Sequence, residues 1–300
     1  MRAGPLSLSV SIVLCAIAVI AQKQPYSAWT HTWEAAVVFA VAGLASLAWC
    51  GGGLRSRVPA HFFAALGCLG GAIAALALTY AAFVVGQPQR IQAVPGQTFR
   101  PGRLGSLELR FPDAPAQLLA AGRYPDTVTV QNGRTSAALT PGGIVRSGAY
   151  VFRGVTGPLA LIYAATPRGM PVTVTQPDGA AFLSAYLTFP IQVDGRPEDS
   201  FALPALHRVV SVAYYQGLPE RGIDIPFLIV GIAEEHGPGL SRSVAVSGKT
   251  IQKSGVRLRF LLAHYPSVFM TSAPPAASVL AALGFLAAGI IGFLSRVFSS

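Results

Sequence analysis

The chain has 300 residues, 52% of them hydrophobic and only 11% charged, with a formal net charge of +10 and a mean hydropathy of +0.52. Soluble domains carry about a quarter charged residues, so one uniformly water-soluble globule is excluded. The cysteines Cys15, Cys50 and Cys68 all fall in apolar runs, which excludes a disulfide framework.

The first apolar run, Leu6 to Ala21, is 16 residues long and uncharged. Arg2 ahead of it, and Val19-Ile20-Ala21 at its end, also fit a cleaved secretory signal. We read it as a retained helix, and both readings bring the chain out at Gln22. Ala35 to Leu54 is a second uncharged run of 20 residues, and Phe62 to Gly86 a third of 25. The last is Met270 to Ser295, 26 residues. About 20 apolar residues cross a bilayer as a helix, so four spans are expected. Arg2, Arg55, Arg57 and Arg296 then share one side, which the excess of basic residues assigns to the cytoplasm. The long segment between spans three and four is expected on the outer side. Between the second and third runs, Gly51-Gly52-Gly53 reads as a flexible inner turn.

Within the outer segment, Thr127 to Val130 alternates and is followed by Asn132-Gly133 and then Arg134 to Leu139, a strong hairpin signal. Val172 to Thr175, Ala181 to Phe189, Val209 to Tyr215, Ile223 to Ile232 and Val256 to His264 are further strand candidates. Pro177-Asp178-Gly179 marks a turn, and Pro115 to Ala121 a short helix. Many short strands between turns predict a sandwich or barrel rather than βαβ units. The fold class is therefore a membrane protein: a four-span α-helical bundle plus an all-β or β-rich extracytoplasmic domain inserted between spans three and four. Residues 1–86 carry three spans, 87–269 the β-rich domain, and 270–300 the fourth span and a short tail.

Residues 87–269 contain 17 basic and 11 acidic residues, a surplus of six positive charges. This reads as a solvated surface, and no basic cluster or aromatic platform points to nucleic acid. No Gly-x-Ser-x-Gly, P-loop or His-Glu-x-x-His occurs, and Ser and His show no catalytic spacing. A self-contained enzyme site is not expected. Gly67 and Gly71 in the third run, and Gly284, Ala288 and Gly292 in the fourth, have the spacing that lets helices approach closely.

His61, at the head of the third run, is the candidate site residue. An ionisable side chain at the edge of a span is costly to place. It rests at headgroup level, or its imidazole holds a haem iron. Cys68 lies two turns further on the same face and is not read as its partner. The cysteines read as small packing residues. His31, between Trp29 and Trp33, reads as part of an aromatic belt. His207, His236 and His264 are scattered and read as structural, and Glu234-Glu235-His236 as a solvated loop.

The order of these features resembles the ResB family of system II cytochrome c biogenesis proteins. The resemblance runs through Ile20-Ala21-Gln22-Lys23-Gln24-Pro25 after the first span, Ala45 to Cys50 with Arg55, and Pro59-Ala60-His61-Phe62 with Gly67 to Gly71. It continues in Pro95-Gly96-Gln97, Leu107-Glu108-Leu109, Gly148 to Phe152, Val256 to Pro266 and Ala281 to Gly292. The chain departs from that pattern at Thr140, where the family has Asn, and at Tyr265-Pro266-Ser267, where it has Asp-Pro-Gly. The resemblance implies a multi-pass protein of the bacterial inner membrane that pairs with a ResC/CcsA-type membrane partner. Together they would move haem b outward and deliver it to apocytochrome c for covalent attachment. His61 alone matches the family's transmembrane ligand histidine, so the iron is assigned to it as an expectation. The alternative is a membrane-anchored scaffold for a redox complex that does not touch haem.

Overall fold

The computed structural model describes residues 3–23, 25, 28–55, 58–85, 88–101, 107–115, 125–177, 179, 181–189, 191–193, 196–234 and 240–298. Two compact units emerge. One comprises Met1–Gln89, Val145–Phe152 and Phe269–Ser300, the other Arg90–Ile144 and Arg153–Val268.

The first unit is built on four helices long and apolar enough to cross a membrane. They are α1 (Ala3–Lys23), α2 (Trp33–Leu54), α3 (Pro59–Val85) and α4 (Ala276–Phe298). Thr32 caps α2, its side chain accepting the Ala35 N–H at 3.2 Å, as a helix start with unpaired donors requires. Pro59 opens α3, where a missing N–H costs nothing. The apolar window of α3 is 61% buried, against 28–33% for the other three, so α3 is the central helix.

Glycine makes this packing possible. A Cβ on Gly70 would lie 2.5 Å from the Ala282 carbonyl oxygen of α4, and one on Gly71 would strike Ser11 of α1. Gly67 faces Leu8 and Gly289, and Gly292 lies against the ring of Phe63. The small-residue spacing is thus used between the chain's own helices. In α4 the buried stripe runs through Ala282, Leu286, Gly289 and Gly292, whereas Gly284 has nothing within 4 Å of its Cβ position.

Two boundaries differ from expectation. Gly51 to Gly53 is the last turn of α2 rather than a turn between helices, because Gly53 fits against Ala65 where a side chain would clash. The fourth helix begins at Ala276, not Met270. Met270 to Ser272 is extended, and Pro274-Pro275 follows. The residue before a proline is driven out of the helical region, so the helix starts only after both rings.

The second unit is β-rich. A seven-stranded antiparallel sheet runs β15 (Leu240–Val246), β14 (Phe227–Glu234), β13 (Arg208–Tyr215), β12 (Arg196–Leu203), β8 (Val174–Thr175), β9 (Ala181–Phe182), with β11 (Ile191–Val193) beside β12. A second sheet, whose residues Gln89, Val145–Ser147, Tyr150–Phe152 and Phe269–Ser272 belong to the first unit, runs β1 (Gln89–Ile91), β17 (Val256–Ser272), β7 (Tyr150–Ala165), β10 (Ser184–Thr188), joined by β6 (Ile144–Ser147) and β16 (Thr250–Lys253). Ile162, Leu187, Leu258 and Phe260 of this sheet share one buried core with Phe201, Val210, Val212, Leu228, Val230 and Ile232 of the first. That is a sandwich, as the alternating pattern predicts. A third sheet, β2 (Thr98–Phe99), β3 (Leu107–Arg110), β4 (Val128–Asn132) and β5 (Thr135–Leu139), contains the Asn-Gly hairpin. Its two-residue loop is Gly133-Arg134, with Gly133 at φ +56°, a conformation glycine adopts without penalty.

The helix expected at Pro115 to Ala121 lies, after Pro115, outside the described residues, as do Asp178 of the second turn, Glu235 and His236, and Arg2 and Arg57 of the charge argument.

Candidate functional site

His61 occupies the first turn of α3. Its backbone N–H donates to the Val58 carbonyl at 3.0 Å, closing the turn that Pro59 begins. Its carbonyl oxygen would lie 2.8 Å from a Cβ on Gly53, so the end of α2 fixes this turn from behind. The side chain itself is exposed, whereas Cys68, two turns on, is buried. The two therefore do not act together. Among the described residues, no three His, Cys, Asp or Glu side chains converge to hold a metal ion. The donor set at this position is one imidazole, enough for one axial ligand of a haem iron and not for a self-contained metal site.

A polar cluster that the sequence reading missed lies elsewhere in the helical unit. His31, at the end of a short 3-10 turn (Ala28–His31), is 5% exposed, while Trp33 beside it is 71% exposed. His31 is thus a buried anchor and not part of an aromatic belt. Its Nε2 lies 3.0 Å from the Pro25 carbonyl oxygen and 3.2 Å from Thr271 Oγ1. The Thr271 hydroxyl donates to the same carbonyl at 2.7 Å. Nδ1 lies 3.4 Å from Ser272 Oγ, whose hydroxyl donates to the Ala81 carbonyl of α3. One ring thereby ties the link after α1 to α3 and to the end of β17. Burial holds its pKa below the usual histidine value, partly offset by the bond to Pro25. With a Ser, a Thr and backbone carbonyls as its surroundings, this histidine has structural work. Ser272 is 1% exposed, which leaves no path for a substrate to a Ser–His pair.

In the β-rich unit, His264 is exposed. His207, also exposed, closes a 3-10 turn in the left-handed region at φ 48°. Tyr265 donates to the Pro112 carbonyl, and Tyr186 to that of Ala114 at 2.9 Å. Burial, then the nearby Asp113 charge, raises both hydroxyl pKa values, so both remain protonated donors. Burial also pushes the Asp199 carboxyl up to about 6, against hydrogen bonds from the Ser200 and Thr188 backbone. A small pocket near Gln92, Gly157, Thr188, Tyr265 and Ser267 is about the size of one water molecule. None of these groups forms a nucleophile–base arrangement. In α2, Ser46 Oγ is buried without a hydrogen-bond partner, and nothing in the structure explains it.

No protein-family model matches this chain, and no curated protein matches it either.

Proposed function

We propose that this chain is the ResB-like subunit of a bacterial inner-membrane complex that exports haem and delivers it to apocytochrome c. The reading rests on the sequence resemblance. The four apolar helices support it, and so does the β-rich region lying between the third and fourth of them. The observation that carries it is the exposed His61 side chain on the first turn of the most buried helix. A histidine held by rigid backbone yet open on its outer side is suited to meeting a ligand shared with a partner. The helices cross the membrane with Arg55 and Arg296 on the cytoplasmic side, which puts the β-rich domain outside.

Haem b is cargo in this scheme, not a resident cofactor. The His61 imidazole supplies one axial ligand near the cytoplasmic entry, and a ResC/CcsA-type partner supplies the remaining contacts. The β-rich domain positions the partner or the apocytochrome. Thioether formation belongs to the complex.

The functional test is cytochrome c maturation in cells that depend on this chain and its cognate synthase. The His61→Ala chain should reach the membrane in normal amount and yield at least tenfold less covalently haem-stained cytochrome. Wild-type yield from His61→Ala would remove His61 from haem handling and favour the scaffold reading.

A further inference from the structure

Two of the three cysteines meet across the α2–α3 interface, and the register of the helices shows it. Gly43 of α2 packs on Ala75 of α3, where an added Cβ would lie 3.2 Å from that of Ala75. Gly53, ten residues on, packs on Ala65, ten residues back, at 2.7 Å. The helices therefore run antiparallel with equal steps between these two contacts. Seven residues on from Gly43 is Cys50, and seven back from Ala75 is Cys68, two turns along both helices. Cys50 and Cys68 thus face each other in one layer. Both are buried, at 6% and 1% exposure, and they belong to one cluster with Ala65. A Cβ added at Gly43 or Gly53 would lie closer to α3 than the about 3.8 Å that a disulfide spans between Cβ atoms, so the two helices approach closely on both sides of this layer. Cys15, on α1, belongs to a different cluster.

The geometry points to a dithiol–disulfide site at Cys50 and Cys68, oxidised by a lipid-dissolved quinone. Both cysteines are free thiols in the structure. On oxidation the two S–H bonds break and one S–S bond forms. The two electrons and two protons released reduce the quinone to its quinol. An apolar oxidant fits because the thiols are enclosed by helix packing away from water-soluble disulfides, whose exchange needs an accessible thiolate. The membrane setting is taken from the reading above, but no step involves haem. The bond would fasten α2 to α3 one turn from Gly53, against which the His61 backbone rests. Oxidation would thereby lock to α3 the end of α2 on which the His61 turn already rests.

The test uses the purified full-length chain in mild detergent, without any partner or haem. It is treated with decylubiquinone or, separately, with diamide, denatured, and its free thiols are counted by the mass added on maleimide labelling. Wild type should fall from three reactive thiols to one with either oxidant and remain monomeric on a non-reducing gel. Cys50→Ser and Cys68→Ser should each keep both remaining thiols, and Cys15→Ala should fall from two to none. Size-exclusion elution matching wild type certifies that each variant is folded. Three thiols surviving both oxidants, or a bond formed between chains, would overturn the pair. Oxidation by diamide but not by the quinone would overturn the assignment of the oxidant.

Discussion

His31 and His61 show how little a residue type says without its surroundings. His61 is exposed on a helix start, whereas His31 is buried among Pro25, Ala81, Thr271 and Ser272. Replacing His31 with Ala removes the ring's contacts to the Pro25 carbonyl, Thr271 and Ser272, while both hydroxyls keep the carbonyls they donate to; each hydrogen bond lost costs about 0.5–1.5 kcal/mol. The His31→Ala chain should unfold at lower temperature in detergent, read by loss of helical circular dichroism. The pH dependence has a definite sign. Burial sets the folded-state pKa below the ordinary 6.5, so the fold prefers the neutral ring. The stability this preference contributes is complete above pH 6.5 and is lost as pH falls through that value. Wild type should therefore lose thermal stability on acidification below 6.5 more steeply than His31→Ala. Equal slopes would show that His31 does not titrate with folding. Sequence could not reveal this site, since Thr271 and Ser272 lie some 240 residues from His31 along the chain. The place of His61 at the head of α3 was legible because that signal is local, an ionisable residue beside an uncharged run.

Among the elements, the four helices were legible because long charge-free runs have few alternatives. Their ends were not. Gly51 to Gly53 looks like a turn until Ala65 is placed beside it, and Met270 to Ser272 looks like helix until β17 claims it. The short strands around the Asn-Gly turn were readable from their alternation. The full length of β7 was hidden because Gly154, Gly157 and Pro158 interrupt it. Those glycines sit where other chain segments press on the strand: the Thr140 carbonyl at Gly154, and the Gln92 and Arg90 side chains at Gly157. In α3, Gly70 has the same role against α4. Gly70→Val would place a side chain against the Ala282 carbonyl oxygen at 2.5 Å and the Leu286 nitrogen at 2.9 Å. Overpacking of this kind costs about 1–3 kcal/mol, so the variant should melt several degrees below wild type in the same detergent. Gly51→Ala, with nothing within 4 Å, should match wild type or exceed it slightly. Equal behaviour of the two variants would contradict the packing of α3 on α4.

The whole molecule combines four apolar helices with a β-rich unit carried between the third and fourth. The sandwich core of the β-rich unit is built from apolar side chains of both sheets, and the three cysteines lie in the helices. The most direct test is the visible spectrum of the chain co-purified with a ResC/CcsA-type partner, wild type against His61→Ala. We expect a Soret band in the wild-type complex that weakens or shifts in the variant while the complex stays intact. A band of the same position and intensity in both would place the haem on the partner alone and contradict the role assigned to His61.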